Sequence, residues 1–258
     1  MPMKHKTDIS DFAVLKISEL PVLSVGQMIK VDHLMENLYR ISLEQMMENA
    51  GSSLATLACK IFDGNVMPGN AHVAVVCGAG NNGGGGMVAA KFLHNRGYNV
   101  SCILVGSDIN LKPIPATRWR TLNKIAIKTI VADGRNAEQD IANADFIIDA
   151  MIGYGLKGKP RELASHLIQA INAKNGNVIA LDIPSGLNGD KGLVSPFCIR
   201  ATATMTLALP KKGLISTGAI NYVGELFLAD IGVPPELYQH LDLPSQQIFK
   251  APIVKLDC

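Results

Sequence analysis

Apolar residues recur at three- and four-residue steps after residue 42, which predicts a helix with one buried stripe. A capping-box sequence at residues 42–45 begins this helix, and the pattern predicts its end near residues 63–64. Another capping box, at residues 24–27, predicts an earlier helix that runs to about Tyr39. The stripe of the second helix consists of Leu43, Met46, Met47, Ala50, Leu54, Leu57, Ala58 and Ile61.

From residue 72 the pattern changes to short apolar runs that alternate with helix-like segments. Such an alternation predicts a mostly parallel sheet with helices on both faces. The fold class is therefore α/β: a three-layer, Rossmann-like sheet with an N-terminal helical extension. Predicted strands are 72–77, 99–105, 126–131, 145–148, 177–181, 202–209 and 224–229; predicted helices are 86–95, 116–123, 136–142, 161–173 and 236–241.

The whole chain, residues 1–258, is interpreted as one domain, because neither an internal repeat nor a linker interrupts the pattern. Residues 1–20 carry little pattern and are interpreted as a lead-in arm. Residues 242–258 are interpreted as an irregular tail.

Composition narrows the function classes. The 24 basic and 22 acidic residues give a net charge of +2, so the chain presents no basic face for nucleic acid or a membrane surface. Five widely spaced cysteines without a C-x-x-C pair favour reduced thiols in a cytoplasmic protein. The N-terminus resembles neither a secretory signal nor a transit peptide, and no apolar run is long enough to span a bilayer.

Three glycine-containing loops follow predicted strands, at residues 78–86, 149–158 and 182–189. The carboxyl ends of parallel strands lie along one edge of a sheet, where ligands bind. Each loop by itself is compatible with a tight turn, but three at one edge favour a ligand site.

Three side chains at this edge offer oxygen atoms that could bind a cation. Asn82 offers an amide oxygen, Asp149 a carboxylate and Ser185 a hydroxyl. Hard cations prefer oxygen, and the low total negative charge suits a monovalent ion better than Mg²⁺ or Ca²⁺.

The same edge also suits an anion and a proton transfer. Backbone N–H groups of residues 78–86 and the following helix N-terminus can bind a pyrophosphate. Lys157 either contacts a phosphate or is an ordinary solvated lysine. Asp182 is the candidate acid or base, because Pro184 stiffens the loop behind it.

The chain resembles the YjeF N-terminal domain family, the NAD(P)H-hydrate (NAD(P)HX) epimerases, over roughly residues 20–240. The segments that carry the resemblance are 47–51, 78–86, 149–158, 182–186, 210–214 and 229–234. It implies a Rossmann-like fold and epimerisation of the R and S forms of hydrated NADH and NADPH, with the dinucleotide as substrate and not as cofactor. It also implies a bound potassium ion and a homodimer formed through the N-terminal helices. In many bacterial relatives a dehydratase domain follows; this chain ends without one, so the NAD(P)HX dehydratase is expected to be a separate protein.

By position, the resemblance assigns the potassium ligands to Asn82, Asp149 and Ser185. Asp182 is expected to protonate the leaving hydroxyl and then to accept a proton from the returning water. The implied substrate-contacting residues are Asn81, Asn82, Gly83, Gly84, Gly85, Gly153, Tyr154, Gly155, Leu156, Lys157, Gly158, Lys159 and Asp182.

Gly85 departs from the family pattern, which usually has aspartate there, and Thr202 also stands where aspartate is common. Gly85 therefore favours an alternative, a non-catalytic nucleotide- or protein-binding module of the same fold. A third hypothesis is a dinucleotide-dependent oxidoreductase that uses the glycines of residues 78–83. It is weaker, because residues 105–107 lack the acidic group expected for the ribose.

Overall fold

A computed structural model describes residues 12–62, 68–133, 135–174 and 176–257. Two helices precede the alternating part of the chain, α1 (Val25–Asn37) and α2 (Leu43–Phe62). Both predicted capping boxes are confirmed. The backbone N–H groups of Ser24 and Ser42 donate to Gln27 and Gln45 at 2.9 and 2.8 Å, and both serine hydroxyls accept in return at 3.2 Å. The predicted end of α2, at residues 63–64, lies outside the described residues.

The described residues form one nine-stranded sheet in the order β1-β9-β8-β7-β6-β5-β2-β3-β4. Each neighbouring pair is parallel except β8 and β9. The strand order changes direction between β2 and β5, and such a switch point opens a crevice at the carboxyl ends of the strands. The strands are β1 (Val14–Lys16), β2 (His72–Cys77), β3 (Asn99–Val105), β4 (Lys128–Ala132), β5 (Phe146–Ala150), β6 (Asn177–Leu181), β7 (Ala203–Leu207), β8 (Glu225–Ala229) and β9 (Ile253–Asp257).

Helices cover both faces of the sheet, which confirms the three-layer α/β prediction. Alternate residues of β2 show why: Val73 and Val75 share a core with α2 and α3, whereas Ala74 and Val76 share another core with α6. Of the described helices, none has the length and apolar character needed to cross a membrane. The remaining helices are α3 (Asn81–Asn95), α4 (Pro113–Lys124), α5 (Glu138–Asn143), α6 (Glu162–Ala173) and α7 (Ile220–Val223), and Pro235–Leu241 forms a 3-10 helix.

The glycine run was wrongly predicted to be a loop as far as residue 86, since α3 begins at Asn81 and includes four of the glycines. Close packing explains why glycine is tolerated inside this helix. A Cβ atom on Gly86 would lie 2.5 Å from the Cβ of Ala150 in β5, and one on Gly84 would lie 2.6 Å from the sulfur of Met47 in α2. Glycine costs a helix about 1 kcal/mol per residue, but here it brings α3 close to the sheet and to α2.

The irregular tail was also a wrong prediction for residues 253–257, which form β9. This strand inserts between β8 and β1, so that Val14 of the lead-in segment pairs with Lys255. Val254 and Leu256 are buried on the same side, which supplies the apolar contact that holds the strand. Residues 1–11 of the predicted arm lie outside the described part of the chain. Elsewhere, predicted strand bounds differ from those observed by no more than about two residues, the scatter usual between assignment methods.

Candidate functional site

A cavity of about 300 Å³ opens at the carboxyl ends of β2, β5, β6 and β7, beside the switch point of the sheet. Methionines of α1 and α2 (Met28, Met46 and Met47) give it an apolar side. Its polar groups come from six different parts of the chain. They are Asp32, Asn81, Asn82, Lys112, Tyr154, Asp182 and Lys211.

Asp149 and Ser185, two of the predicted cation ligands, are in direct contact. The Ser185 hydroxyl donates to Oδ1 of Asp149 at 2.7 Å, and the Ser185 backbone N–H donates to Oδ2 at 2.8 Å. Both residues are fully buried. Asp149 is the fourth residue of β5 and does not follow the strand as predicted, because β5 extends to Ala150.

Asn82, the third predicted ligand, lies in the first turn of α3 and approaches the loop that follows β5. A Cβ atom on Gly153 would lie 3.1 Å from its Cγ atom. The backbone N–H of Ile152, the residue before, donates to the Ser185 hydroxyl at 2.9 Å. One short segment, residues 149–153, therefore contains Asp149 and lies close to Asn82 and Ser185.

Two observations on these residues fit a bound cation. Nδ2 of Asn82 is buried and has no hydrogen-bond partner among the described residues. The oxygen and nitrogen of an amide are assigned from such contacts, so the amide oxygen can take that position when a cation is present. Burial raises the pKa of Asp149 to about 6, against the hydrogen bonds from Ser185 and Met151. A cation beside the carboxylate would reverse this effect of burial.

Asp182 follows β6 directly and takes a left-handed backbone conformation, with φ of 65°. Its Oδ1 atom lies 2.5 Å from the Nζ atom of Lys211. The Thr206 hydroxyl and the Leu207 N–H also face Oδ1, at 3.3 and 3.4 Å. All the hydrogen bonds that the described residues donate to this side chain reach Oδ1, which leaves Oδ2 for a ligand in the cavity.

Lys211 is a site residue that the sequence reasoning missed. Its side chain is 0% exposed, although lysine is rarely buried without a partner. The Leu207 carbonyl accepts from Nζ at 2.7 Å and the Thr206 hydroxyl lies 3.3 Å away, so the ammonium group is fully bonded. The sequence feature that could have indicated Lys211 is its position, four residues after β7 and at the same sheet edge as the three loops.

Asp32 of α1 is the second missed residue. The Tyr154 hydroxyl donates to its Oδ2 atom at 2.5 Å, which joins α1 to the loop after β5. Burial raises the pKa of Asp32, partly offset by this hydrogen bond and by Lys211. Burial and the nearby Asp32 also raise the pKa of Tyr154, so its hydroxyl stays protonated as the donor.

The structure divides the expected substrate-contacting residues into two groups. The residues that line the cavity are Asn81, Asn82, Gly85, Gly153, Tyr154, Gly155 and Asp182. Gly83 and Gly84 instead face Gly78 and Met47, and Leu156 lies outside the lining. Lys157, Gly158 and Lys159 are exposed outside it. Lys112, an exposed residue whose backbone N–H donates to the Ala79 carbonyl just before α3, lines the cavity as well.

Gly85 lines the cavity without contributing an acidic group. A Cβ atom there would lie 2.8 Å from Cδ2 of Leu181, the end of a flexible side chain. The helix itself therefore leaves room for a side chain at this position once Leu181 shifts.

Comparison with known proteins gives consistent matches over most of the chain. Residues 43–213 match the family described as YjeF-related protein N-terminus. A protein of Dehalogenimonas lykanthroporepellens, named NAD(P)H-hydrate epimerase, is 35% identical over 90% of this chain and 89% of its own length. Another of that name, from Rhodopirellula baltica, is 30% identical over 92% of this chain and 94% of its length.

Longer relatives also match. The bifunctional NAD(P)H-hydrate repair enzyme Nnr of Moorella thermoacetica is 36% identical over 84% of this chain, which spans 41% of that relative. Among solved structures, the yeast protein YNL200c superposes with a TM-score of 0.77 at 25% identity, over 92% of this chain and 100% of that one.

Proposed function

Because this chain belongs to the YjeF-related N-terminal family, we propose that it interconverts the R and S forms of hydrated NADH and NADPH. The observation that carries the proposal is Asp182, held by a buried lysine at the wall of the cavity. Two relatives that this chain spans almost completely are named for this activity. The enzyme class is therefore an isomerase.

The hydrated nicotinamide ring is the part of the substrate that fits the cavity. A volume of about 300 Å³ lies at the lower end for ligand pockets (about 300–1,000 Å³), too small for a whole dinucleotide. Methionine side chains are flexible and adapt to the puckered surface of such a ring. The pyrophosphate then lies near Asn81 and Lys112, where the N-terminus of α3 favours negative charge.

The reaction needs a proton donor and a proton acceptor near one carbon. That carbon carries a hydroxyl next to the ring nitrogen, whose lone pair expels the hydroxyl once it is protonated. Water then returns to the other face of the resulting iminium ion. Asp182 is well placed for this work, because the ion pair with Lys211 fixes one oxygen and leaves the other free.

Potassium is proposed as a resident ion held by Asn82, Asp149 and Ser185. When bound, it would offset the charge of Asp149 and join the segments that follow β2, β5 and β6. At fixed ionic strength, potassium should raise the melting temperature of the wild type more than sodium does, and it should not raise that of Asp149→Asn. Equal responses to both ions in both proteins would argue against this site.

The cellular context is also a proposal. We propose that a dehydratase acts on the epimerised product and that this repair takes place in the cytoplasm; the bifunctional repair enzyme among the longer relatives supports a second activity that works with epimerisation. A homodimer through α1 would cover Ile29 and Leu38, which are about half exposed. Light scattering after gel filtration, with Ile29→Glu as the perturbed variant, tests the dimer.

The decisive experiment supplies purified R-form NADHX with potassium and follows its conversion to the S form by chromatography. Conversion above the uncatalysed rate supports the proposal. Asp182→Asn should slow it by about 10²- to 10⁴-fold, whereas Asp108→Asn, at an exposed position after β3, should not. Binding without conversion would favour the second candidate, a non-catalytic module, for which the missing carboxylate at Gly85 is the specific observation.

A further inference from the structure

The pair of Asp32 and Tyr154 has no role in the single-carboxylate mechanism above. Both residues line the cavity, and they come from different elements, α1 and the loop after β5. Tyr154 bonds to Oδ2 of Asp32, and Oδ1 accepts no hydrogen bond from the described residues. A carboxyl group of this kind, beside an ion-paired Asp182, calls for an explanation.

Epimerisation sets a geometric problem that one carboxyl group solves poorly. Water must leave from one face of the ring and return to the opposite face. Asp182 is fixed by three donors on Oδ1 and by the backbone after β6, so it cannot follow the oxygen from face to face. A second proton-transfer group on another wall removes this difficulty.

We propose, building on the epimerase function above, that Asp32 and Asp182 are the two proton-transfer groups, one for each face of the ring. Tyr154 is the positioning residue that orients Asp32 through its hydroxyl. Lys211 does the same for Asp182.

The proton count of this route closes. Asp32 gives its proton to the substrate hydroxyl, the carbon–oxygen bond breaks with both electrons on oxygen, and water departs as the ring nitrogen forms the iminium bond. A water molecule then attacks the opposite face and its oxygen forms the new bond, while the iminium pair returns to nitrogen. The proton that this water loses goes to Asp182. Solvent exchange or a turnover in the other direction restores the starting protonation.

The charges around the two acids suit these different starting states. Desolvation by burial raises the pKa of Asp32, which favours a protonated donor. Asp182 and Glu36 act in the same direction, whereas Tyr154 and Lys211 oppose it. Asp182, in contact with the Lys211 ammonium, is the ion-paired carboxylate and hence the acceptor.

The test measures oxygen exchange together with epimerisation. Purified wild type, Asp32→Asn and Asp182→Asn each receive R- or S-form NADHX in ¹⁸O-labelled water with potassium. Asp32→Asn should epimerise about 10²- to 10⁴-fold more slowly than wild type. It should nevertheless incorporate ¹⁸O into one epimer only, because Asp182 still serves one face. Asp182→Asn should show the opposite preference.

Two further variants separate catalysis from structure. Asp108→Asn removes an exposed carboxylate outside the cavity and should leave both rates within about twofold of wild type. Tyr154→Phe should lower kcat more than it raises KM, since the aromatic ring stays in the cavity wall. If Asp182→Asn does not fold, the exchange preference of Asp32→Asn still decides the assignment.

Several outcomes would overturn the inference. Wild-type epimerisation by Asp32→Asn excludes Asp32 as a proton-transfer group. Equal loss of ¹⁸O exchange into both epimers assigns it a structural role only. A wild-type protein that converts neither epimer refutes the proposed function itself, and this two-acid route with it.

Discussion

Replacing Lys211 with methionine tests whether the buried ion pair with Asp182 holds the site together. The substitution keeps most of the apolar volume but removes an ammonium group that is 0% exposed. It deletes the contact with Asp182 at 2.5 Å and the hydrogen bonds to Leu207 and Thr206 at 2.7 and 3.3 Å. Because the Asp182 side chain is only 5% exposed, water solvates the remaining carboxylate poorly.

The expected loss follows from the uncompensated charge. Breaking a buried pair by removing one partner costs about 3–5 kcal/mol of unfolding free energy. For a domain of this size that loss lowers the melting temperature by about 10 °C. Urea unfolding followed by circular dichroism measures the free energy, and Lys212→Met is the matched control. Lys212 is exposed, so its replacement should change stability by no more than about 0.5 kcal/mol.

A double variant isolates the cause of the loss. Lys211→Met combined with Asp182→Asn removes the stranded carboxylate, so it should recover about 1–3 kcal/mol relative to Lys211→Met alone. If the unfolding free energy of Lys211→Met lies within about 1 kcal/mol of the wild type, or if the double variant is the least stable, the ion pair does not contribute the expected stability.

Three more predictions follow from the packing and from the cavity carboxylate. Gly83→Ala should lower the unfolding free energy by at least about 3 kcal/mol, because its Cβ would lie 1.8 Å from a backbone oxygen. Gly85→Ala, whose Cβ meets only the end of Leu181, should lower it by less than about 1 kcal/mol, and urea unfolding measures both. Asp32→Asn should gain stability relative to wild type as the pH rises from about 4 to 8. The pKa of Asp32 is raised on folding, so the stability that its carboxyl group contributes is present at low pH and is lost as the group ionises. A pH-independent difference in unfolding free energy would contradict the raised pKa. In Tyr154→Phe, the loss of epimerisation rate at high pH should shift to a higher pH, because the substitution removes the hydrogen bond that lowers the pKa of Asp32. An unchanged pH–rate profile would contradict this link between Tyr154 and Asp32.

The sheet and its ligand edge were predictable from the sequence, since β2, β3 and β6 are short apolar runs with sharp ends. The contact of Asp149 with Ser185 was also foreseeable, because neighbouring parallel strands bring such residues to one edge. The glycine run was predicted to be a loop because glycine is unfavourable inside helices. The first turns of α3 pack closely against β5 and α2, which lie far apart from each other in sequence, and no local pattern indicates these contacts.

The missed residues show a second limit. Asp32 and Lys211 are charged, and a charged residue in a helix or after a strand is usually solvated. Their placement in the cavity depends on α1 packing against the segment that follows β7, which no local sequence pattern indicates. The strand β9 was missed for a similar reason, because its few apolar residues gain meaning only between β8 and β1.

The placement of β9 between β8 and β1 has a consequence for how the protein matures on the ribosome. Lys255 emerges roughly 10–50 s after Val14, its partner, at synthesis rates of about 5–20 residues per second. The segment before α1 also forms its contacts late in synthesis, because Leu23 bonds to the backbone of Pro210 and Lys212. Asp32 can therefore join the cavity only when most of the chain has been made. Translation therefore leaves this helix undocked until residues 210–212 have been made, and the cavity lacks one wall until then.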